Sequence, residues 1–218
     1  MTQFTSVLEG ATHWPVSFRK GYVIYDEDET PKAMYRVDRG CVRLQVNGSD
    51  GDRQIIAFLF PGDVFGFSLD RRTTSAEAVT DLELTRYSLQ SVLDLSTRSR
   101  EVTVGLLNSA NALYGDLARH VDQITHLSAM ERVLWFLNWL MRHQHTPKAA
   151  NTVALPMSRR DIGDYLGLAP ETLSRALKQL RAKGYVTLHG RRGFTLKPPA
   201  LAFHVSDFSE FSTVVSAA

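Results

Sequence analysis

Two side chains of opposite charge, Glu171 and Arg175, lie four residues apart directly after Pro170. In a helix that begins at this proline they would share one face near the N-terminus, because residues four apart are neighbours on a helix. Two uses are open to such a pair. It can form an ion pair within the helix, worth about 0.3–0.5 kcal/mol. Alternatively, it can contact a G·C base pair, with the carboxylate accepting from cytosine N4 and the guanidinium donating to guanine O6 and N7.

The residues around this pair predict a helix-turn-helix. Ser158 begins a short helix at Arg159–Leu166 with a capping box, and Gly167-Leu168-Ala169 forms a tight turn. A second helix covers Glu171–Lys183 and ends at Gly184. The apolar residues of both helices would face inward: Ile162, Tyr165, Leu166, Leu173, Leu177 and Leu180. Because this layout places the N-terminal end of the second helix in the DNA major groove, it favours base reading by Glu171 and Arg175.

The segment after Gly184 predicts a wing, in which two short strands flank a basic, glycine-rich turn at residues 189–193. Residues 158–197 hold 9 Lys and Arg against 3 Asp and Glu, a net charge of +6, whereas residues 1–127 carry −4. This local excess of positive charge is typical of a surface that faces phosphates. The side chains that we expect to contact phosphates are Ser158, Arg159, Thr172, Lys178, Arg191 and Arg192.

Composition narrows the class of protein. A chain of 218 residues allows two small domains, and its single cysteine, Cys41, excludes an intramolecular disulfide, a four-cysteine zinc site and an all-cysteine iron–sulfur cluster. No constellation of Ser, His and Asp, no paired carboxylates and no metal-ligand spacing predicts an enzyme or a metal site. No signal peptide is visible in the first ten residues, and the longest apolar stretch, 133–141, is too short to span a bilayer. We therefore expect a cytoplasmic protein with no membrane association.

The first half of the chain reads as β structure. Val42, Leu44 and Val46 alternate with polar residues, which is typical of a half-buried strand, and turn-forming residues separate them from an apolar return strand at Arg53–Phe60. Several short strands with regular turn signals over residues 18–87 predict a sandwich or a barrel-like roll. Cys41 would lie on one of these strands, either as a small buried hydrophobe or as a redox sensor.

Residues 98–126 predict one long helix, which a second helix at Ala129–His143 follows. Its apolar residues recur at alternating spacings of three and four, the pattern of a coiled-coil seam between two chains. The alternative is that this helix packs against its own β-domain, and Leu106 and Leu113 widen the apolar stripe enough for both contacts. The predicted dimer interface is formed by Leu107, Ala110, Tyr114, Leu117, Val121 and Ile124.

These segments together resemble the CRP/FNR superfamily. Residues 157–186, MSRRDIGDYLGLAPETLSRALKQLRAKGYV, are similar to its helix-turn-helix, particularly in the FNR/FixK branch, and residues 40–67, GCVRLQVNGSDGDRQIIAFLFPGDVFGF, are similar to its β-roll. The resemblance covers residues 18–196. It implies an α+β fold with a cyclic-nucleotide-binding-like β-roll in residues 1–97, a dimerisation helix in 98–126, a winged helix-turn-helix in 127–197 and a tail in 198–218.

The resemblance also implies a function. In the FNR/FixK branch, a Glu, a Ser and an Arg on the recognition helix read TTGAT-type half-sites, and Glu171, Ser174 and Arg175 occupy those positions. We therefore expect a homodimeric transcription activator that binds an inverted repeat of the form TTGAT-N4-ATCAA and contacts RNA polymerase.

Two departures from the family limit the expected ligands. Phe67 and Thr74 replace the Glu and the Arg with which the family's cyclic-nucleotide receptors bind ribose and phosphate, and the cysteines of an FNR-type iron–sulfur centre are absent. The chain is most similar to FixK-type members, which bind DNA without an evident cofactor. The alternative is an effector-gated regulator, which would bind a shifted anionic ligand near Arg71 and Arg72 or sense redox state through Cys41.

Overall fold

The computed structural model describes residues 8–48, 53–144, 152–190 and 193–197. The chain divides into two compact units, Met1–Asp122 and Gln123–Ala218, and the division falls within its longest helix. Each unit has its own sheet structure and its own buried core, and the two are described separately below.

The N-terminal unit is built on two four-stranded antiparallel sheets. Their strands follow the orders β1-β8-β3-β6 and β2-β7-β4-β5. Side chains from both sheets form one core, in which Tyr35, Val42 and Leu84 are buried, so the predicted β-roll is confirmed. The strands are β1 (His13–Phe18), β2 (Val23–Tyr25), β3 (Ala33–Arg39), β4 (Val42–Asn47), β5 (Arg53–Leu59), β6 (Val64–Phe65), β7 (Ser75–Ala78) and β8 (Leu82–Ser88).

The alternating pattern around Val42 produces the expected hairpin. Val42 and Leu44 on β4 are buried, while Arg43 and Gln45 between them are only half-buried. Strand β5 returns antiparallel to β4, with Asn47 opposite Arg53. The period of two therefore places the apolar side chains of β4 in the core of the roll.

Two helices follow the roll, α1 (Leu89–Ser96) and α2 (Arg100–His126). The beginning of α2 packs on its own unit, because Val102 belongs to a buried cluster with Met34, Tyr87 and Val92, and Leu106 packs against that cluster. The long helix predicted for residues 98–126 is thus confirmed, and its first turns use the apolar stripe for contact with the β-domain.

The C-terminal unit combines three helices with a three-stranded antiparallel sheet. The helices are α3 (Ala129–His143), α4 (Arg159–Leu166) and α5 (Pro170–Ala182). The strands β9 (Thr152–Ala154), β10 (Val186–His189) and β11 (Gly193–Leu196) pair in the order β10-β11-β9. The predicted helix-turn-helix and wing are confirmed, and β9, which the sequence did not predict, adds a third strand beside β11.

Aromatic rings of α3 hold the helix-turn-helix from behind. The ring of Tyr165 on α4 lies 6.5 Å from that of Trp135, 5.6 Å from that of Phe136 and 6.1 Å from that of Trp139, measured between centroids. Ring pairs at such separations add about 0.5–1.5 kcal/mol each beyond the area they bury. Residues 134–137 of α3 are fully or almost fully buried, so this helix forms the core on which α4 and α5 are mounted.

Candidate nucleic-acid interface

A capping box fixes the beginning of α4. The backbone N–H of Ser158 donates to Asp161 Oδ2 at 2.8 Å, and the backbone N–H of Asp161 donates to Ser158 Oγ at 3.1 Å. The Ser158 hydroxyl also donates to Asp161 Oδ2, at 2.7 Å. Two backbone N–H groups that have no partner within the helix are satisfied in this way. The first turn of α4, which carries Arg159, therefore has a defined position.

The turn between α4 and α5 depends on two glycines. Gly167 caps α4 in the left-handed region, at φ 62°, where residues with a Cβ are strained. A Cβ on Gly163 would lie 2.8 Å from the carbonyl oxygen of Leu168, and the backbone N–H of Leu168 donates to the Gly163 carbonyl at 3.0 Å. Arg132 on α3 also donates to the carbonyl of Leu166, at 3.2 Å. These contacts set the angle between the two helices.

Helix α5 separates an apolar face from a polar one. Leu173, Ala176, Leu177 and Leu180 are buried, as are Ile162, Tyr165 and Leu166 on α4, which confirms the predicted inward positions. Glu171, Ser174 and Arg175, the predicted base-reading residues, are all exposed. The structure therefore brings the three together on the open face of α5 near its N-terminus.

The side chain of Arg175 has a different partner from the one that its spacing suggests. Its Nη2 donates to Thr172 Oγ1 at 3.3 Å. Within the part of the chain that the structure describes, Glu171 and Arg175 form no ion pair with each other. Of the two uses open to this pair, the ion pair within the helix is not the one seen, so both groups remain available for polar partners outside the chain.

The predicted phosphate-contacting residues lie around α5. Lys178 is exposed on α5, Thr172 is half-buried beside Arg175, and Arg159 and Ser158 lie at the start of α4. Arg191 and Arg192 fall outside the described residues. Strands β10 and β11 next to them are joined by a hydrogen bond of 2.7 Å between His189 Nε2 and Thr195 Oγ1. Arg181, which was not predicted as a contact, is also exposed on α5 and contributes to the net charge of this segment.

The predicted dimer interface on α2 is largely open to solvent. Leu107 is 64% exposed and Tyr114 is 72% exposed, and Ala110, Leu117 and Val121 are exposed as well. Ile124, at the end of the stripe, is half-buried. An exposed apolar stripe of this length is costly in water and marks a surface for interaction.

The alternative ligand site, near Arg71 and Arg72, is occupied by the chain's own contacts. Arg72 is 5% exposed and donates to the carbonyl of Gly66 at 2.6 Å and to that of Ala33 at 2.8 Å. Its guanidinium lies 3.6 Å from the centroid of the Tyr25 ring, a cation–π contact. Burial raises the pKa of Tyr25, and the positive charge of Arg72 opposes part of that rise. Arg72 thus connects the segment between β6 and β7 to β3. Arg71 is exposed and donates to the carbonyl of Asp28.

The positions relevant to cyclic-nucleotide binding and redox sensing, Phe67 and Cys41, differ in their exposure. Phe67, at the position where cyclic-nucleotide receptors have a Glu, is 39% exposed. Cys41 is 1% exposed, so its thiol is shielded from oxidants in solution. Among the described residues no group of His, Cys, Asp and Glu side chains is arranged to bind a metal ion. No helix in the described ranges combines the length and the apolarity needed to cross a membrane.

Comparison with known proteins connects this geometry to a family. The family model for the Crp-like helix-turn-helix domain matches residues 131–202, and that for the cyclic nucleotide-binding domain matches residues 15–99. The chain is 34% identical over 188 residues to the nitrogen fixation regulation protein FixK of Rhizobium meliloti. The aligned region covers 85% of this chain and 84% of that protein. It is 31% identical to the transcriptional activatory protein AadR of Rhodopseudomonas palustris over 76% of this chain and 70% of that protein. The solved structure of FixK2 from Bradyrhizobium japonicum superposes with a TM-score of 0.81 and 38% identity, covering 85% of this chain and 93% of that one.

Proposed function

This chain belongs to the CRP/FNR family of transcription regulators, in its FixK branch, and from this membership we propose that it is an activator that binds an inverted repeat as a homodimer. It is a transcription regulator with a helix-turn-helix DNA-binding domain and not an enzyme. The proposal concerns what membership leaves open: the DNA sequence, the residues that read it, the assembly and the direction of regulation.

One observation carries the proposed recognition: Glu171, Ser174 and Arg175 are exposed together on the first turns of α5. With this end of α5 in the major groove, the Arg175 guanidinium donates to guanine O6 and N7 while Glu171 accepts from cytosine N4. Such contacts read one G·C pair in each half-site. They fit half-sites of the TTGAT type, arranged as TTGAT-N4-ATCAA.

The phosphate contacts position the helix and do not read sequence. We assign this role to Ser158, Arg159, Thr172 and Lys178, and to Arg191 and Arg192 in the turn of the wing. The four cations among them supply four of the nine positive charges in residues 158–197. Each contact of this kind strengthens binding to every duplex alike and makes binding weaker as salt rises.

The homodimer is supported by the exposed stripe on α2. Leu107, Leu117 and Val121 are all large apolar residues that a single chain leaves in water, and their coiled-coil spacing matches a second copy of the same helix. A two-fold dimer of helix-turn-helix domains binds half-sites about 34 Å apart, one turn of DNA. The symmetry of the protein therefore predicts the symmetry of its site.

Activation is the proposed direction of regulation, because a relative that is 31% identical is named a transcriptional activatory protein. An activator of this kind recruits RNA polymerase, which we propose as a further partner. The effector-gated alternative is less well supported, since Arg72 is buried in contacts within the roll and Cys41 is buried in its core.

Selection of bound sequences from random duplex DNA tests the proposal, because it reports sequence, symmetry and spacing in one experiment. The full chain should enrich an inverted repeat with a G·C pair at a fixed position in each half-site. Enrichment of a single unrepeated motif would contradict the homodimer, and no enrichment of any motif would contradict recognition by Glu171 and Arg175. Arg142→Ala, which removes an exposed arginine from α3, is the matched control and should enrich the same repeat as the wild type.

A further inference from the structure

A surface concavity of about 290 Å³ lies on the helix-turn-helix unit, between α4, α5 and the first strand of the wing. Its apolar floor includes Leu177, which is buried, and Leu188 on β10, which is half-buried. Its polar lining consists of Arg159, Ser174, Lys178 and Arg181. The lining therefore combines three cationic side chains with one hydroxyl, and it includes no carboxylate.

Two cations of this concavity, Lys178 and Arg181, differ from the nearby Arg160, which has an acidic neighbour. Arg160, one residue away from Arg159, is 3.9 Å from the carboxylate of Asp164 and is in this way partly compensated. The side chains of Lys178 and Arg181 form no ion pair with any residue that the structure describes. The positive charges of Lys178 and Arg181 on a concave surface raise the local concentration of anions.

The position of Arg181 along α5 relates the concavity to the base-reading residues. Ser174, Lys178 and Arg181 follow Glu171 at spacings of three, four and three, so the four residues form one stripe along α5, and Arg175 lies to one side of it. At 1.5 Å per residue, Arg181 lies about 9 Å further along the axis than Arg175. Since the major groove is about 12 Å wide, a helix that enters it by its N-terminal end carries Arg181 to the edge, where the backbone runs.

We propose that this concavity binds one phosphodiester group of the DNA backbone and that Arg181 is a DNA-contacting residue. The inference rests on the proposed function. Arg159, Lys178 and Arg181 surround the phosphate, and the Ser174 hydroxyl lies on the side of the base-reading end. Leu177 and Leu188 face the apolar carbons of the adjoining deoxyribose. We choose a backbone phosphate as the ligand because the concavity adjoins the proposed base-reading face of α5, of which Ser174 is a part.

The first experiment measures how binding of the full chain to duplex DNA depends on salt. On a full inverted repeat, Arg181→Ala should lower the slope of log affinity against log salt by about 1.8, because each protomer of the proposed homodimer loses one phosphate contact worth about 0.9. The advantage of the wild type over Arg181→Ala should consequently shrink about twelvefold between roughly 50 and 200 mM salt. Arg181→Lys, which keeps the charge, should keep most of the slope, and the control Arg142→Ala should keep all of it.

The second experiment locates the phosphate with duplexes that carry one neutral methylphosphonate at successive positions. One substitution should weaken wild-type binding and leave the binding of Arg181→Ala unchanged, since the contact is already absent. An unchanged slope for Arg181→Ala, or losses that add at every position, would overturn the assignment. A wild-type protein that binds all sequences equally would instead contradict the proposed sequence-specific function. The phosphate assignment could still be tested in that case, because the salt measurement does not require sequence preference. Arg181 is exposed, so unchanged thermal unfolding of the variant is expected and is checked first.

Discussion

The guanidinium of Arg175 has a partner within the chain, which the proposed base contact would replace. It donates one hydrogen bond of 3.3 Å to the Thr172 hydroxyl, at an exposed position. Such a bond contributes little in water, whereas a guanine offers two acceptors to the planar fork of an arginine. In the proposed complex, exchange of the first for the second would be favourable and would free the Thr172 hydroxyl for a phosphate. The internal bond therefore orients Arg175 without competing seriously with DNA.

Replacement of Arg175 by alanine tests base reading directly. Arg175→Ala should cost about 1–3 kcal/mol of binding free energy on a matched inverted repeat and relax discrimination at one G·C pair. The measurement is competitive binding against duplexes in which that pair is changed in both half-sites. If the variant lost as much affinity for scrambled DNA as for the matched site, Arg175 would be a phosphate contact.

Spacing predicted that Glu171 and Arg175 share one exposed face of α5, because about four residues make one turn of a helix, but it did not predict their immediate contacts. Their role as base-reading residues stays a prediction. The bond from Arg175 to Thr172 depends on a side-chain rotamer, which spacing does not determine. Arg181, which we assign to a phosphate, was not predicted. It lies in the last turn of α5, and the prediction considered mainly residues near the N-terminus of that helix. Only the three-dimensional arrangement of α4, α5 and β10 shows that Arg181 and Arg159 line the same concavity.

Among the helices and strands, the local sequence signals at helix termini were the most informative. The capping box at Ser158 placed the beginning of α4 correctly, because it satisfies backbone N–H groups that would otherwise be left without partners. The structure has a second capping box at Ser128, where α3 begins. Helix α5 begins at Pro170, the first helical position that this proline indicated. Strand β9 went unpredicted because three residues are too few to show an alternating pattern, and its pairing with β11 is set by contacts remote in sequence.

The turn of the helix-turn-helix allows a stability prediction. Gly163→Ala should lower the free energy of unfolding by about 1–3 kcal/mol, because its Cβ would lie 2.8 Å from the Leu168 carbonyl oxygen, which belongs to the backbone and has little freedom to move. Unfolding by urea at constant protein concentration measures the change. Gly115→Ala in α2 is the matched control, since its nearest new contact would be the flexible guanidinium of Arg119 at 3.6 Å.

The two glycine substitutions should have effects of opposite sign. Alanine stabilises a helix interior by about 0.5–1 kcal/mol relative to glycine, so Gly115→Ala should be neutral or stabilising. Gly163→Ala gains the same helical preference but has to displace the turn. A stability of Gly163→Ala equal to that of the wild type would show that Leu168 moves easily and that Gly163 does not restrict the turn.

At the scale of the whole molecule, the fold class followed from patterns, while the connections between strands did not. The change from a period of two to a period of three to four separated the β-roll from the helices. The pairing of β1 with β8 joins residues about 70 apart in sequence, such as His13 and Tyr87, and no local pattern specifies it. The predicted domain limits at residues 97, 126 and 197 stay predictions, and the division of the chain between Asp122 and Gln123 falls inside α2.

The long helix α2 has two different apolar contacts along its length. Val102 and Leu106 pack on the roll, whereas Leu107, Tyr114 and Val121 are exposed. The same stripe that anchors the helix to its own unit thus continues as an exposed apolar surface. Pairing of two copies would bury it and would also link two DNA-binding units, so that the second half-site is bound at a high effective concentration.

A charge placed in the seam should therefore separate dimerisation from DNA contact. Leu117→Glu should yield monomers in sedimentation equilibrium and weaken binding to a full inverted repeat at least about tenfold, because the linkage between half-sites is lost. Binding to a single half-site should stay at the wild-type level, since α5 is unchanged. Ala112→Glu adds the same charge at an exposed position of α2 away from the seam, and it should remain a dimer with normal affinity. A dimeric Leu117→Glu with undiminished affinity would place the interface elsewhere on the molecule.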